Sequence, residues 1–212
     1  MNNVPLERVK RAKFLGVYID DKLSWGDHIS YVATQVSKGV GILAKLKFTL
    51  PLKALRLIYL SLILPQLSYC CSVWSGANKS ILNKLLILQK RAVRHITCSA
   101  SRDPTSSLFA SLNLLKLPDV ITLSLVIFTY RCLNNLLPTS FSTFYTTDSH
   151  VHPYYTRQSA NPHPVLVNLN NHKRSLKYRS ISIWNSLPPN FWSKPSIASL
   201  RKGLSSYFLN SY

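Results

Sequence analysis

NKLLILQKRAVRH, residues 83–95, is the stretch that decides the fold, because its apolar residues recur every three or four positions. On a helix this spacing gathers the apolar side chains on one face and the basic side chains on the other. The apolar face comprises Leu82, Leu85, Leu86, Gln89, Ala92, Val93 and Ile96. The opposite face comprises Asn83, Lys84, Lys90, Arg91, Arg94 and His95. The stretch therefore predicts a helix that packs on one side and presents positive charge on the other.

Helical patterns continue on both sides of this stretch. Upstream, they predict a helix that Asp27 caps, followed by another that Pro51 begins. Downstream, Pro118 opens a helix, and Ser196 caps a last amphipathic one. Residues 13–20, KFLGVYID, read as a short strand. The predicted fold class is mainly α: a helical bundle preceded by a short β-strand or hairpin and followed by a basic, partly irregular C-terminal segment.

Positive charge is the unusual feature of the composition. The 212 residues include 26 Lys and Arg against 7 Asp and Glu, a net charge of +19. Residues 51–100 and 151–212 contain no acid, whereas residues 101–150 have no net charge. Such a surplus predicts a polyanionic partner, with nucleic acid favoured over an anionic membrane. Because no acid is interleaved in residues 83–95, phosphate contact is favoured over a solvated charged face.

The second acid-free block combines basic residues with aromatic ones. Its candidate nucleic-acid contacts are Arg157, Lys173, Arg174, Lys177 and Arg179. Interleaved tyrosines and tryptophans suit unpaired nucleotides, on which they can stack. The alternative for each aromatic residue, Trp184 among them, is an ordinary place in the core.

Tyr18-Ile19-Asp20-Asp21 matches Tyr-x-Asp-Asp, the metal-binding pair of reverse transcriptases. Two-metal phosphoryl transfer needs a further carboxylate from an upstream strand. Glu7 is the only earlier acid, so we interpret Asp20 and Asp21 as a decoy in a turn and predict no catalytic residue, metal ion or cofactor. The alternative is an enzyme in which the pair binds catalytic metal.

Cysteine usage and hydropathy bear on location. The four cysteines lack zinc-site spacing and are predicted to be reduced, buried thiols.

Residues 57–78 carry no charge, but Pro65, Gln66 and four serines dilute the apolar run. We therefore predict a core helix, kinked or ended near Pro65, rather than a membrane span. The polar, charged N-terminus is not a signal peptide, which predicts an intracellular protein (nucleus and cytoplasm) that is not secreted.

Several short motifs, in this order and spacing, resemble one family. They are Lys13-Phe14-Leu15-Gly16-Val17, Leu23-Ser24-Trp25, His28-Ile29, Leu88-Gln89-Lys90-Arg91-Ala92-Val93-Arg94, Tyr155-Thr156-Arg157 and Trp184-Asn185-Ser186-Leu187-Pro188. Together they resemble the C-terminal part of non-LTR retrotransposon reverse transcriptases of the LINE type, the jockey-like elements in particular. The resemblance covers about residues 8 to 209.

The resemblance implies a domain plan. Residues 1–26 would be the end of the palm, with Phe14, Leu15 and Gly16 in a primer-grip-like strand. Residues 27–140 would be a helical thumb-like domain and residues 166–212 a basic C-terminal segment. Between them, residues 141–165 are rich in His and Pro without periodicity, which predicts a linker or surface loop. The parent enzymes are RNA-directed DNA polymerases that use Mg²⁺.

The function implied is that of a non-catalytic fragment of such a polymerase. It would bind template–primer or element RNA, as RNA or as an RNA–DNA or DNA duplex, and would also contact the missing palm domain. The alternatives are a membrane-associated or protein-interaction fragment, and a decayed element with no selected function.

Overall fold

The computed structural model describes residues 8–151 and 161–212, and it confirms the mainly α fold with a preceding hairpin. The two strands are β1 (Arg11–Phe14) and β2 (Val17–Asp20). The α-helices are α1 (Gly26–Leu46), α2 (Leu52–Ile58), α3 (Leu64–Ser68), α4 (Cys71–Trp74), α5 (Lys79–Ile96), α6 (Ser106–Ser111), α7 (Leu117–Leu133), α8 (Asp148–Val151), α9 (Asn170–Lys173), α10 (Leu176–Ser186) and α11 (Ile197–Leu209). A π-helical turn (Tyr59–Ile63) joins α2 to α3, and short 3₁₀ turns follow α7 and α10. Arg157 lies outside the described residues.

The strand expected over residues 13–20 is divided by a turn, and residues 11–20 form the hairpin that the predicted fold class allowed. β1 and β2 pair antiparallel, with Phe14 opposite Val17. The two residues between them have positive φ, 46° at Leu15 and 82° at Gly16, as a tight two-residue hairpin turn requires. Leucine rarely adopts this conformation, so the turn was hidden in the sequence. The Tyr69 hydroxyl, which donates to the Leu15 carbonyl at 2.6 Å, holds the turn against the helices.

The start of α1 corrects a second expectation, that Asp27 caps it. The residue at the N-cap position is Trp25, in the left-handed conformation, and no side chain accepts a capping hydrogen bond. Asp27 lies in the first turn, with its carboxylate 3.6 Å from the Arg11 guanidinium. Asp20 instead accepts the Trp25 N–H at 2.9 Å, so the end of β2 supports the start of the helix.

The helical segment around Pro65 contains a turn of wider, π-helical geometry just before the proline. Proline lacks an N–H, and its ring collides with the carbonyl four residues earlier in an α-helix. The π-helical turn over residues 59–63 absorbs this conflict, and the helix continues to Ser68. Gly39 of α1 packs against this turn so closely that a Cβ there would lie 2.7 Å from Ile63. The expected kink is therefore a π-helical turn against which α1 packs.

Helix α7 is the common wall of two hydrophobic cores. One core joins α7 to α1 and α5, and the other joins it to α10 and α11. A helix buried on most sides is apolar all round, which explains the neutral stretch between the two basic blocks. Trp184 is 2 % exposed in the second core, so it is a core anchor. Ser196 caps α11 by accepting the Ser199 N–H, as predicted.

Gln89 is the one amide at the centre of the first core, and it is fully buried. Its Nε2 donates to the Tyr59 hydroxyl at 2.8 Å and to the Leu115 carbonyl at 2.9 Å. Its Oε1 accepts the Leu117 N–H at 2.8 Å, at the first residue of α7. Burial raises the pKa of Tyr59 to about 12, so this hydroxyl stays neutral. One side chain thus joins the turn at Tyr59, helix α5 and the start of α7.

The described part of residues 141–165 packs on the bundle. The rings of Phe141 and Phe144 lie edge-on to Phe128 of α7, with centroids 5.9 and 5.6 Å away. The Tyr145 hydroxyl lies 2.6 Å from the Ser180 hydroxyl of α10. These contacts tie the segment to both α7 and α10, while the domain boundaries drawn from the sequence stay predictions.

The cysteines differ in burial. All four cysteines are free, but only Cys71 and Cys132 are buried. Cys98 is exposed just after α5, and Cys70 is half-buried, so the expectation of four buried thiols was wrong for these two.

Within the described residues, no helix is long and apolar enough to cross a bilayer.

Candidate nucleic-acid interface

The basic groove is an open pocket of about 640 Å³ along the C-terminal half of α5. Its lining residues are Lys47, Ile87, Lys90, Arg91, Arg94, His95, Ser99 and Ser101. The opposite face of α5 buries Leu85, Gln89 and Val93, as the sequence predicted. The sequence therefore placed both faces of α5 correctly, and the buried face fixes the direction in which the basic one points.

Lys47 and three basic residues of α5 make the groove cationic. None of the described residues that line it is acidic, so these charges have no carboxylate partner there. Arg91 is exposed and Lys90 is half-buried, and both line the groove. Lys84 lies outside the groove, exposed two turns before Arg91 on the same side of the helix. Such a surface suits an anionic ligand with several charges in a row.

Arg94 and His95 contribute less free charge than the sequence suggested. The Arg94 guanidinium donates from Nε and Nη2 to the Asp103 carbonyl, at 3.1 and 2.8 Å, and so holds the loop after α5. Burial, with the neighbouring charges of Lys47 and Arg91, lowers the pKa of His95 below its ordinary value. The lowered pKa favours the uncharged form of the His95 ring.

The basic residues near the C-terminus divide into two groups. Lys173 and Arg174 are exposed at the rim of a second pocket, which lies at the N-terminal end of α5. Lys177 lies half-buried with its ammonium 5.8 Å from the Phe144 ring. Arg179 donates to the Ser75 hydroxyl at 2.8 Å, and burial lowers the pKa of its guanidinium. The first two are exposed to solvent, whereas Arg179 joins the C-terminal segment to the bundle.

The tip of the hairpin carries the residues identified as primer-grip-like. Phe14 is 65 % exposed and Leu15 is 73 % exposed, whereas the Gly16 backbone lies against Tyr69. An exposed pair of large apolar side chains on a braced turn is suited to contact with another surface. Their role as a primer grip stays a prediction.

Asp20 and Asp21 both interact with neighbouring groups at the end of β2. Both Asp20 carboxylate oxygens accept hydrogen bonds, from the Lys22, Ser24 and Trp25 backbone and from the Ser24 hydroxyl. Burial raises the pKa of Asp20, but these hydrogen bonds outweigh it and leave the pKa below its ordinary value. Asp21 lies 3.9 Å from the Arg8 guanidinium. In the described part of the chain, no three His, Cys, Asp or Glu side chains are grouped to hold a metal ion.

Two cations that line these two cavities, Lys47 and Lys79, were not among the residues predicted from the sequence. Lys47 follows α1 by one residue, and the packing of α1 against α5 brings it to the groove. Lys79 is the first residue of α5 and lies at the second pocket. The helical spacing could have included Lys79, which falls on the same face as Asn83. No sequence signal could have placed Lys47, which lies forty residues from the groove's centre.

Comparison with known proteins supports the family resemblance. The chain is 32 % identical over 100 residues, 46 % of its length, to the protein described as "Probable RNA-directed DNA polymerase from transposon BS" of Drosophila melanogaster. It is 28 % identical over 101 residues to "Probable RNA-directed DNA polymerase from transposon X-element" of the same organism. Each match covers 11 % of the relative's length. No family model matches the chain, and no solved structure matches it significantly. The predicted likeness to part of a retrotransposon reverse transcriptase is thus confirmed.

Proposed function

We propose that this chain is a nucleic-acid-binding part of a retrotransposon reverse transcriptase that holds a template–primer duplex by its phosphates. The basic groove carries the proposal, because it gathers cations from α5 and Lys47, which follows α1, and none of its described lining residues is acidic. Phosphate contacts position a duplex without reading its sequence, as a polymerase that copies any template requires. Similarity to RNA-directed DNA polymerases makes a template–primer duplex the natural ligand.

The rigidity of α5 supports this proposal. Its opposite face is packed against α1, and Gln89 anchors it to α7, so the cations stand on a fixed support. Fixed charges lose less conformational freedom on binding than charges on a loop. The exposed hairpin tip and the basic C-terminal segment would add contacts to the duplex, to element RNA or to the rest of the polymerase.

The salt dependence of binding tests the proposal. We expect an RNA–DNA duplex, followed by fluorescence anisotropy, to lose about 100-fold in affinity between ~50 and ~200 mM salt, as counterion release at about four phosphate contacts requires. A neutral-backbone analogue of the duplex, such as a peptide nucleic acid hybrid, is the matched ligand and should bind weakly at both salt concentrations. Affinity that stays constant with salt would contradict phosphate-led binding.

We further propose that the chain does not catalyse polymerisation by itself. The engagement of both Asp20 oxygens with the following turn supports this, since the carboxylate has a structural task. In a primer-extension assay with Mg²⁺ and all four nucleotides, we expect no product from the chain or from its Asp20→Ala, Asp21→Ala variant. An active reverse transcriptase serves as the positive control. Extension by the unaltered chain would overturn the proposal and favour the enzyme alternative.

A further inference from the structure

The amphipathic pocket is a second cavity, of about 710 Å³, at the N-terminal end of α5. It lies where the starts of α5 and α7 meet the segment that leads into α10. Its apolar lining comes chiefly from Leu82, Leu86, Ile121 and Ile183. Its cations are Lys79, Lys173, Arg174 and Arg179. No acid is among the described residues that line it. The pocket thus offers an apolar floor beneath a cationic rim.

Two contacts give the pocket fixed walls. Arg179 donates to Ser75 at 2.8 Å, which joins α10 to the turn before α5. The Arg174 carbonyl lies 2.6 Å from the position that a Cβ on Gly76 would occupy, so only glycine permits this approach. With these walls fixed, the ammonium of Lys173 and the guanidinium of Arg174 remain exposed at the rim. The volume lies within the range of ordinary ligand pockets.

The amphipathic pocket continues the basic groove along one helix face. Asn83, which lines the pocket, and Ile87, which lines the groove, are one turn of α5 apart. Lys79, which lines the pocket, and Lys90, which lines the groove, are separated along the helix axis by about 16 Å at ~1.5 Å per residue. The two cavities therefore lie close enough along α5 for one nucleic acid strand to contact both.

We infer that the amphipathic pocket binds an unpaired nucleotide next to the duplex that the groove holds. The apolar floor would meet the face of the base, and Lys173 and Arg174 would meet its phosphate. A base that is still stacked and paired within a duplex cannot present its face to such a floor. The inference rests on the proposed function and adds to it the recognition of a single-stranded extension.

A pair of ligands tests the inference: a short blunt duplex, and the same duplex with a single-stranded run of thymidines at one end. By fluorescence anisotropy at constant salt, we expect the extension to raise affinity about 10-fold, the scale of one well-contacted base. The Lys173→Ala, Arg174→Ala variant should lose this gain, so that the ratio of its affinities for the extended and blunt ligands falls to about one. A Lys38→Ala, Lys45→Ala variant, which removes the same charge from exposed sites on α1, should keep the gain.

A second variant separates the pocket from its charge. Thr122→Trp fills the pocket from the α7 side, keeps every cation and leaves α5 unchanged, so it should also abolish the gain. An equal affinity of the unaltered chain for both ligands would overturn the inference while leaving the proposed function intact. So would a gain that survives both pocket variants. Failure of the chain to bind either ligand would overturn the proposed function itself.

Discussion

Replacement of Gln89 by leucine is expected to lower the free energy of unfolding by on the order of 3–5 kcal/mol. Leucine fits the space but leaves the Tyr59 hydroxyl, the Leu115 carbonyl and the Leu117 N–H without their partner. A buried polar group that loses its hydrogen bond costs about 1–3 kcal/mol. The Leu117 N–H is the most sensitive of these, because the first N–H groups of a helix have no partner within it.

Urea unfolding followed by circular dichroism measures this loss. Gln35→Leu, at a half-exposed site on α1, makes the same chemical change outside the core and is the matched control. We expect it to change stability by about 0.5 kcal/mol or less, as ordinary surface substitutions do. Equal unfolding midpoints for the two variants would contradict the role assigned to the Gln89 network. Gln89 of α5 is therefore expected to stabilise the fold rather than to contact the ligand.

The Lys84→Ala, Lys90→Ala, Arg91→Ala variant is expected to show the largest effect on binding. Its affinity for an RNA–DNA duplex at ~50 mM salt should fall by on the order of 100-fold, and the slope of log affinity against log salt should shrink by about 3. Arg94 is kept, because its guanidinium holds the Asp103 loop and its loss would confuse binding with folding. Fluorescence anisotropy across a salt series measures both quantities.

The matched control removes the same charge elsewhere. Lys38, Lys45 and Lys53 are exposed on α1 and α2, and their joint replacement by alanine keeps both cavities intact. We expect this control to retain most of the affinity and the slope, while both variants unfold at the same urea concentration as the unaltered chain. A loss as large in the control as in the α5 variant would mean that binding follows net charge, not the groove.

The comparison of sequence with structure shows where local patterns suffice. The apolar residues of α5 recur at 100° per residue, so their common face follows from helix geometry alone, whatever packs against it. The Ser196 cap is equally local, because its hydrogen bond spans three residues. The hairpin was allowed by the predicted fold class, but the position of its turn at Leu15 and Gly16 was not predicted, since leucine seldom adopts a positive φ.

The candidate site depends more on distant contacts. Lys47 joins the groove only because α1 packs along α5, and Arg94 is withdrawn from it because the Asp103 carbonyl comes within reach. Arg179 is likewise committed to Ser75, over a hundred residues earlier in the chain. A count of basic residues in a sequence cannot separate charges that are free from charges that hold the fold together.

The sequence by itself determined that this chain folds as helices, that α5 has one apolar and one basic face, and that the chain resembles retrotransposon reverse transcriptases. Those properties follow from residue spacing and local motifs, which need no knowledge of what lies nearby. The tertiary structure alone decided which cations remain free, how Gln89 joins three elements, and that the groove and the amphipathic pocket share one face of α5. These properties require residues far apart in the chain to meet, and packing brings them together.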